Sequence, residues 1–194
     1  INKKALKISD LGLDRIGRIK QERKKAMKVL FLDVDGVLND YGTTTRTSDH
    51  WPFVDDEKVA RLRKIIDETG AKIVLSSDWR EERDIPCRNI SYLELVEKLK
   101  AFGLEIFDYT PEYGYRSSRG REIAGWLEGR DDVESFVILD DRRDMHPNMD
   151  RLVRTSMLDG LTDGIAEIAV RMLNGESLEG LELDENEMEE EDWW

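Results

Sequence analysis

Short apolar runs rich in β-branched residues alternate with helical patterns between residues 28 and 173, and this alternation restricts the fold more than any other feature. The runs predict strands at residues 28–32, 71–76, 104–107, 135–139 and 152–154. Apolar residues at helical spacing lie between them and predict helices that end at Gly70 and Gly103, begin near Arg119 and follow the cap Thr162. Strands that alternate with helices form a parallel sheet covered on both faces. We therefore predict an α/β fold of three layers with about five strands.

Charge divides the chain into three parts. Residues 1–28 contain ten basic and three acidic side chains, whereas residues 176–194 contain ten acidic side chains and no basic one. The whole chain carries −13, which leaves −10 on residues 29–175. We expect a basic helical arm at 1–27, a folded domain at 28–175 and a solvated acidic tail at 176–194. So acidic a chain lacks the broad cationic surface of a typical nucleic-acid-binding module. A polyanionic substrate would have to be bound by basic residues at one local site.

The sequence contains no segment typical of membrane insertion or export. No run of about 18 apolar residues is present, and no apolar stretch follows the basic N-terminal residues. The single cysteine, Cys87, cannot form an internal disulfide, which fits a reducing compartment. We expect a protein without a membrane partner and with a cytoplasmic location.

Acidic residues directly follow two predicted strands. Asp33 and Asp35 follow the first, and because side chains alternate along a strand we expect both carboxylates on one side. Asp140 and Asp141 follow the fourth strand, at the edge where parallel sheets bind ligands. A hard divalent cation would relieve the repulsion between these carboxylates, and Gly36 would let the backbone turn closely around it. An all-oxygen donor set suits Mg²⁺ better than zinc or copper, so all four aspartates are candidate ligands.

Hydroxyl and guanidinium groups are expected at the same edge. Ser76 and Ser77 end the second strand, and a hydroxyl can donate to a phosphoryl oxygen. Residues 117–121 begin the third helix, where Arg119 and Arg121 would lie beside free backbone N–H groups and form an anion site. Together with the carboxylates, these groups indicate magnesium-assisted phosphoryl transfer to a carboxylate nucleophile.

Four segments resemble the motifs of the haloacid dehalogenase (HAD) superfamily of phosphohydrolases in order and spacing. They are VLFLDVDGVLN, IVLSSDWR, RGREIAGWL and VILDDRRDM. More narrowly, SSDWR, the RGREIAGWL helix, ILDD and RLVRTSMLDGLT resemble the HAD domains associated with Swiss Army Knife RNA-repair proteins. The resemblance covers about residues 28–173 and implies a HAD-like Rossmannoid three-layer sandwich. One such motif alone is weak evidence, whereas four in order are specific.

The resemblance also implies catalytic roles. Asp33 would be the nucleophile that forms an aspartyl-phosphate, and Asp35 would protonate the leaving group and then activate water. Ser76 would hold the phosphoryl oxygens. Arg119 would stabilise the developing charge at the position that lysine usually occupies, with Arg121 as the reserve candidate.

The remaining site residues are assigned in the same way. Asp141 would be the direct Mg²⁺ ligand of its pair and Asp140 would orient the arginine, because adjacent residues on an extended strand face apart. Trp79 and Arg80 have two interpretations, either a clamp on a nucleobase or a packing Trp followed by a surface Arg. The expected substrate contacts are Ser77, Arg80, Gly120 and Arg121.

The spacing of the motifs leaves little room for a cap over the site. Only residues 39–55 are free to form a flap after the first motif, and the segment between Ser76 and Arg119 is occupied by a helix and a strand. An open site would admit a large substrate, so we expect a phosphomonoester hydrolase acting on nucleic-acid termini or nucleotides, with the basic arm offsetting the acidic domain. The alternatives are a phosphatase of small phosphomonoesters or phosphoproteins, and a non-catalytic interaction domain.

Overall fold

The computed structural model describes residues 26–48, 50, 52–84, 90–114 and 116–180. Residues 1–25 of the predicted basic arm and most of the acidic tail lie outside the described residues, as does Cys87. The described ranges cover most of residues 28–175, the span of the predicted folded domain.

The apolar runs form one parallel sheet. Its strands are β1 (Met27–Leu32), β2 (Lys72–Leu75), β3 (Ile106–Tyr109), β4 (Val133–Asp140) and β5 (Leu152–Arg154). Their order is β3-β2-β1-β4-β5, and every neighbouring pair is parallel. Leu32, the last residue of central β1, lies level with Leu75 of β2 and Leu139 of β4. The prediction of a five-stranded parallel sheet is confirmed.

In the described part of the chain, four helices cover the sheet. They are α1 (Asp56–Thr69), α2 (Ile90–Ala101), α3 (Arg119–Leu127) and α4 (Asp163–Asn174). α1 ends at Gly70, which adopts a left-handed conformation. The side chains of Ser118 and Thr162 accept hydrogen bonds from backbone N–H groups in the first turns of α3 and α4. Short 3₁₀ helices lie in the connections at Asp78–Asp84 and Met149–Arg151.

The core has two parts because β1 is buried on both faces. Leu30 and Leu32 pack in the cluster that contains the apolar faces of α1, α2 and α4. Val29 and Phe31 point the other way and pack with Ile123 and other residues of the α3 side. The sheet is therefore the middle of three layers, as predicted.

The third strand begins later than predicted. Residues 104–107 are an apolar run, yet β3 spans Ile106–Tyr109. Leu104 is buried, but its N–H donates to the carbonyl of Leu99 and so closes the turn after α2. Burial in a turn and burial in a strand give the same sequence signal.

The described residues of the segment 39–55 form turns and include an isolated bridge between Arg46 and Pro52. The base of this flap is held by Lys58, whose Nζ lies 2.6 Å from Asp40 and 3.1 Å from Asp55. Between β2 and α3 the chain forms the 3₁₀ helix Asp78–Asp84, α2 and β3. In the described residues neither segment builds a cap domain, as the spacing predicted.

Candidate active site

Three carboxylates meet where β1 and β4 end side by side. Asp33 follows β1, Asp140 is the last residue of β4 and Asp141 follows it. Each offers one carboxylate oxygen, and these oxygens lie within 4.8 Å of one another. Asp33 and Asp140 are buried, whereas Asp141 is half-buried. Two strands that are distant in sequence therefore bring one acidic cluster to the carboxyl edge of the sheet.

Burial makes these carboxylates unfavourable as a bare group of anions. It raises the pKa of Asp33 to about 6 against the opposing effect of Arg119. Burial and the nearby Asp33 together raise the pKa of Asp140 to about 8. The Oδ2 atom of Asp140 is buried and has no hydrogen-bond partner among the residues that the structure describes. An unpartnered carboxylate oxygen within an all-oxygen donor set fits a hard divalent cation such as Mg²⁺.

Gly36 allows Asp141 to reach the cluster. Its φ is +72°, in the left-handed region that disfavours other residues. A Cβ on Gly36 would lie 2.8 Å from the Asp141 side chain. The glycine therefore serves both the turn after β1 and the close approach of Asp141.

The carboxylate of Asp35 does not join the group formed by the other three aspartates. β1 ends at Leu32, and the N–H groups of Val37 and Leu38 both donate to the carbonyl of Val34, so Asp35 lies in a turn. Strand alternation does not continue through a turn, which is why the expected convergence of Asp33 and Asp35 as side-chain metal ligands is not found.

Asp35 is held instead by two neutral donors. Its Oδ2 accepts a hydrogen bond from Trp79 Nε1 at 2.9 Å, and its Oδ1 accepts one from Asn39 Nδ2 at 2.8 Å. The residue is exposed to solvent. Its expected role as proton donor and acceptor stays a prediction.

The two serines after β2 face different neighbours. The Ser77 hydroxyl donates to the Asp33 carboxylate. The Ser76 hydroxyl instead accepts from Thr110 at 3.4 Å, on the side of β3. The hydroxyl that the structure brings to Asp33 is therefore that of Ser77, whereas the resemblance assigned the phosphoryl contact to Ser76.

Arg119 is buried beside the acidic cluster, with an exposed fraction of 3%. Its guanidinium lies 2.8 Å from Asp78 and 3.2 Å from Glu122, and Nε is 3.7 Å from Asp140 Oδ2. Burial opposes the charge, but Asp33 and Asp78 raise the pKa of Arg119 overall. The expected proximity of Asp140 to the arginine is found.

The N-terminus of α3 does not offer the free amides that the sequence suggested. The N–H of Arg119 donates to the Asp144 carboxylate, and that of Gly120 donates to the Asp144 carbonyl. A Cβ on Gly120 would lie 2.2 Å from the backbone of Met145. Gly120 therefore serves the packing between α3 and the loop after β4, and its predicted contact with substrate stays a prediction.

Arg121 and Arg80, both predicted to contact substrate, have other neighbours in the structure. Arg121 is exposed, and its guanidinium lies 5.2 Å from the ring centroid of Tyr113. Arg80 is 1% exposed and donates to the carbonyls of Ser77 and Thr110 and to the Glu122 carboxylate. Since its donors are used inside the protein, the prediction that Arg80 clamps a substrate is wrong, and so is the alternative of a surface arginine.

A family model described as the HAD domain in Swiss Army Knife RNA repair proteins matches residues 29–166. The chain belongs to this family. The resemblance drawn from the four motifs is thereby confirmed. The comparison with curated proteins gave no match.

The matched span of this HAD domain contains every residue of the acidic cluster and its surroundings. One of these residues, the Arg119 partner Asp78, was not predicted from the sequence. It stands inside the quoted motif SSDWR, so its position in that motif was the available signal. In the described part of the HAD domain, no helix has the length and apolarity needed to cross a membrane.

Proposed function

We propose that this HAD domain is a Mg²⁺-dependent phosphomonoester hydrolase that works through an aspartyl-phosphate on Asp33. The observation that carries the proposal is the meeting of Asp33, Asp140 and Asp141 within 4.8 Å, beside the buried guanidinium of Arg119. Family membership supports the same class of reaction. Asp33, Asp140 and Asp141 would hold the Mg²⁺ ion, which when bound supplies positive charge that counters the charge on the phosphoryl oxygens.

In the first step the Asp33 carboxylate attacks phosphorus. The bond between phosphorus and the leaving oxygen breaks, its electron pair goes to that oxygen, and Asp35 donates a proton to it. The guanidinium of Arg119 and the hydroxyl of Ser77 hydrogen-bond the phosphoryl oxygens. We assign the hydroxyl to Ser77 because it contacts Asp33, whereas Ser76 contacts Thr110.

In the second step water attacks phosphorus of the aspartyl-phosphate. Asp35, now ionised, accepts the proton of that water, and inorganic phosphate leaves as the Asp33 carboxylate is restored. The arginine that countered charge in the first step does so again in the second.

The substrate class we propose is a polynucleotide terminus or a nucleotide, in a cytoplasmic end-repair setting. The absence of a cap domain in the described residues supports a large substrate. The description of the family as one in RNA repair proteins supports nucleic acid. The net charge of −10 on residues 29–175 weakens capture of a polyanion, and the basic residues of the arm would offset it.

The test is hydrolysis of a panel of phosphoesters with Mg²⁺ or with EDTA. The panel contains 3′- and 5′-phosphorylated oligoribonucleotides, nucleoside monophosphates, sugar phosphates and a phosphopeptide. We expect Mg²⁺-dependent release of phosphate, fastest from an oligonucleotide end. Asp33→Asn should lower kcat by at least about 10³-fold, because the nucleophile is lost. The matched control is Asp67→Asn, at an exposed position on α1, which should retain full activity.

Each alternative has its own outcome in this assay. Faster hydrolysis of sugar phosphates or phosphopeptides than of oligonucleotides would replace the proposed substrate class. Mg²⁺-dependent hydrolysis at the normal rate by the Asp33→Asn variant would contradict the nucleophile. Failure to hydrolyse any ester would favour a non-catalytic domain.

A further inference from the structure

The indole of Trp79 contacts the carboxylate expected to move protons. Trp79 Nε1 donates to Asp35 Oδ2 at 2.9 Å, and the amide of Asn39 donates to Oδ1 at 2.8 Å. We propose that Trp79 is a positioning residue that orients Asp35 toward the leaving group, an inference that rests on the proposed hydrolase function. The family resemblance identified Trp79 only as part of a motif string, with nucleobase contact or packing as its possible roles.

Asp35 needs such an anchor because of its place in the fold. It lies in the turn after β1, is exposed, and stands apart from the cluster formed by Asp33, Asp140 and Asp141. Two donors on its two oxygens fix the plane of the carboxyl group. Each oxygen retains another lone pair, so the carboxyl group can still carry and transfer a proton. Without one donor, rotation about the side-chain bonds would lower the fraction of molecules in the productive geometry.

Trp79 is itself held in place. It lies in the first turn of the 3₁₀ helix Asp78–Asp84, which begins directly after the two serines that follow β2. Its ring is partly buried and stacks on Phe53 of the flap, with centroids 6.3 Å apart and planes at 28°. The indole therefore links the flap to Asp35, and these two contacts can be removed separately.

The leaving group distinguishes positioning from a merely structural role. When the bond from phosphorus to an alkyl oxygen breaks, the electron pair goes to that oxygen and the proton from Asp35 neutralises it. A p-nitrophenyl oxygen leaves readily as an anion and needs no proton. A displaced Asp35 should therefore slow alkyl esters more than the aryl ester.

The experiment compares kcat/KM of Trp79→Phe and of Phe53→Leu with that of the unaltered protein in Mg²⁺. The substrates are a 3′-phosphorylated oligoribonucleotide and p-nitrophenyl phosphate. kcat/KM is used because hydrolysis of the aspartyl-phosphate, which both substrates share, does not enter it when leaving-group departure is irreversible. Trp79→Phe removes the N–H and keeps an aromatic ring, whereas Phe53→Leu removes the stacking partner and keeps the N–H.

We expect Trp79→Phe to lower kcat/KM at least about tenfold on the oligoribonucleotide and less than about threefold on p-nitrophenyl phosphate. Phe53→Leu should change both values by the same factor. Replacement of Trp79 by 3-benzothienylalanine, which has the shape of the indole but no N–H, should reproduce the Trp79→Phe pattern even if the Phe variant folds poorly.

Equal losses on the two substrates, or no loss, would overturn the positioning role while leaving the proposed hydrolase intact. If the unaltered protein hydrolyses neither substrate, the proposed function itself fails and this inference fails with it. The two failures are therefore distinguishable.

Discussion

The environment of Arg119 suits the binding of an anion. Its terminal nitrogens pair with Asp78 and Glu122, but its buried Nε has no hydrogen-bond partner within the described ranges. The nearest acidic atom to Nε is Asp140 Oδ2, at 3.7 Å. A rigidly held guanidinium whose Nε–H is unpaired is well suited to a phosphoryl oxygen in the transition state.

We predict that Arg119→Ala lowers kcat by about 10²- to 10³-fold, because charge on the phosphoryl oxygens is then uncompensated. Arg121→Ala should change kcat by less than about threefold, since Arg121 is exposed and lies against Tyr113. Steady-state kinetics in Mg²⁺ measure both, and thermal unfolding shows whether each variant folds. The opposite ranking of the two variants would move the role to Arg121.

The raised pKa values predict an unusual dependence of stability on pH. Burial raises the pKa of Asp140 from 3.8 to about 8 and the pKa of Asp33 from 3.8 to about 6. Between pH 3.8 and about 8, the folded state therefore binds more protons than the unfolded state. Without divalent cations, the free energy of unfolding should therefore fall as pH rises through this range. Mg²⁺ should counter the fall, because it favours the ionised carboxylates.

Thermal unfolding at pH 5 and pH 8, with EDTA or Mg²⁺, measures this linkage. The rise in Tm caused by Mg²⁺ should be larger at pH 8 than at pH 5 in the unaltered protein and in the Asp67→Asn control. Asp140→Asn should reduce both the pH effect and the Mg²⁺ effect. An equal Mg²⁺ effect at the two pH values would show that the cation binds elsewhere.

Among elements, the 3₁₀ helix after β2 joins the flap, the sheet and α3. Its Arg80 connects the carbonyls at the ends of β2 and β3 to Glu122 of α3, and the same glutamate also binds Arg119. Arg80 and Arg119 are thus fixed through one carboxylate. This shared partner explains why Arg80, although it belongs to the motif IVLSSDWR, is buried inside the protein.

The flap base gives a prediction about stability. Lys58→Met should lower the free energy of unfolding by about 2 kcal/mol, because Asp40 and Asp55 lose a charged hydrogen-bond donor in a largely buried place. Lys98→Met is the matched control and should cost less than about 1 kcal/mol, since its partner Asp56 is mostly exposed. Urea denaturation of both variants provides the comparison. Equal effects would mean that the flap base contributes no more than a surface ion pair.

The strands and helix ends were predictable because local rules decide them. A run such as residues 28–32 is buried on both faces and can only be a central strand in this context, and Gly70 ends α1 through its own conformation. The start of β3 was not predictable in this way, since Leu104 is buried in a turn.

The site was predictable only as far as strand ends determine it. Asp33, Asp140 and Asp141 meet because β1 and β4 are neighbours. The position of Asp35 depends on a turn, and the burial of Arg80 depends on Glu122, which lies 42 residues away in the chain. No periodicity in the sequence encodes such a long-range partner.

At the scale of the whole molecule, charge distribution should govern substrate capture. Residues 181–194 contain eight acidic side chains and no basic one. Their removal leaves α4 and the contacts just after it, including the hydrogen bond from Glu176 N–H to Arg171. We therefore expect this truncation to spare the domain and to reduce repulsion of a polyanion.

The truncated protein should have a KM for a 3′-phosphorylated oligoribonucleotide that is lower by a factor of about two to ten at low salt. The KM for p-nitrophenyl phosphate should stay unchanged, and high salt should remove the difference for the oligoribonucleotide. Loss of activity on p-nitrophenyl phosphate would show instead that the acidic segment belongs to the working domain.

Acid quenching during turnover, followed by peptide mapping, tests most directly whether Asp33 carries the phosphoryl group. Labelled phosphate should appear on the peptide that contains Asp33 when Mg²⁺ is present, and it should be missing with EDTA or in the Asp33→Asn variant. Phosphate release during a single turnover without any label on Asp33, or label on a different residue, would contradict the account.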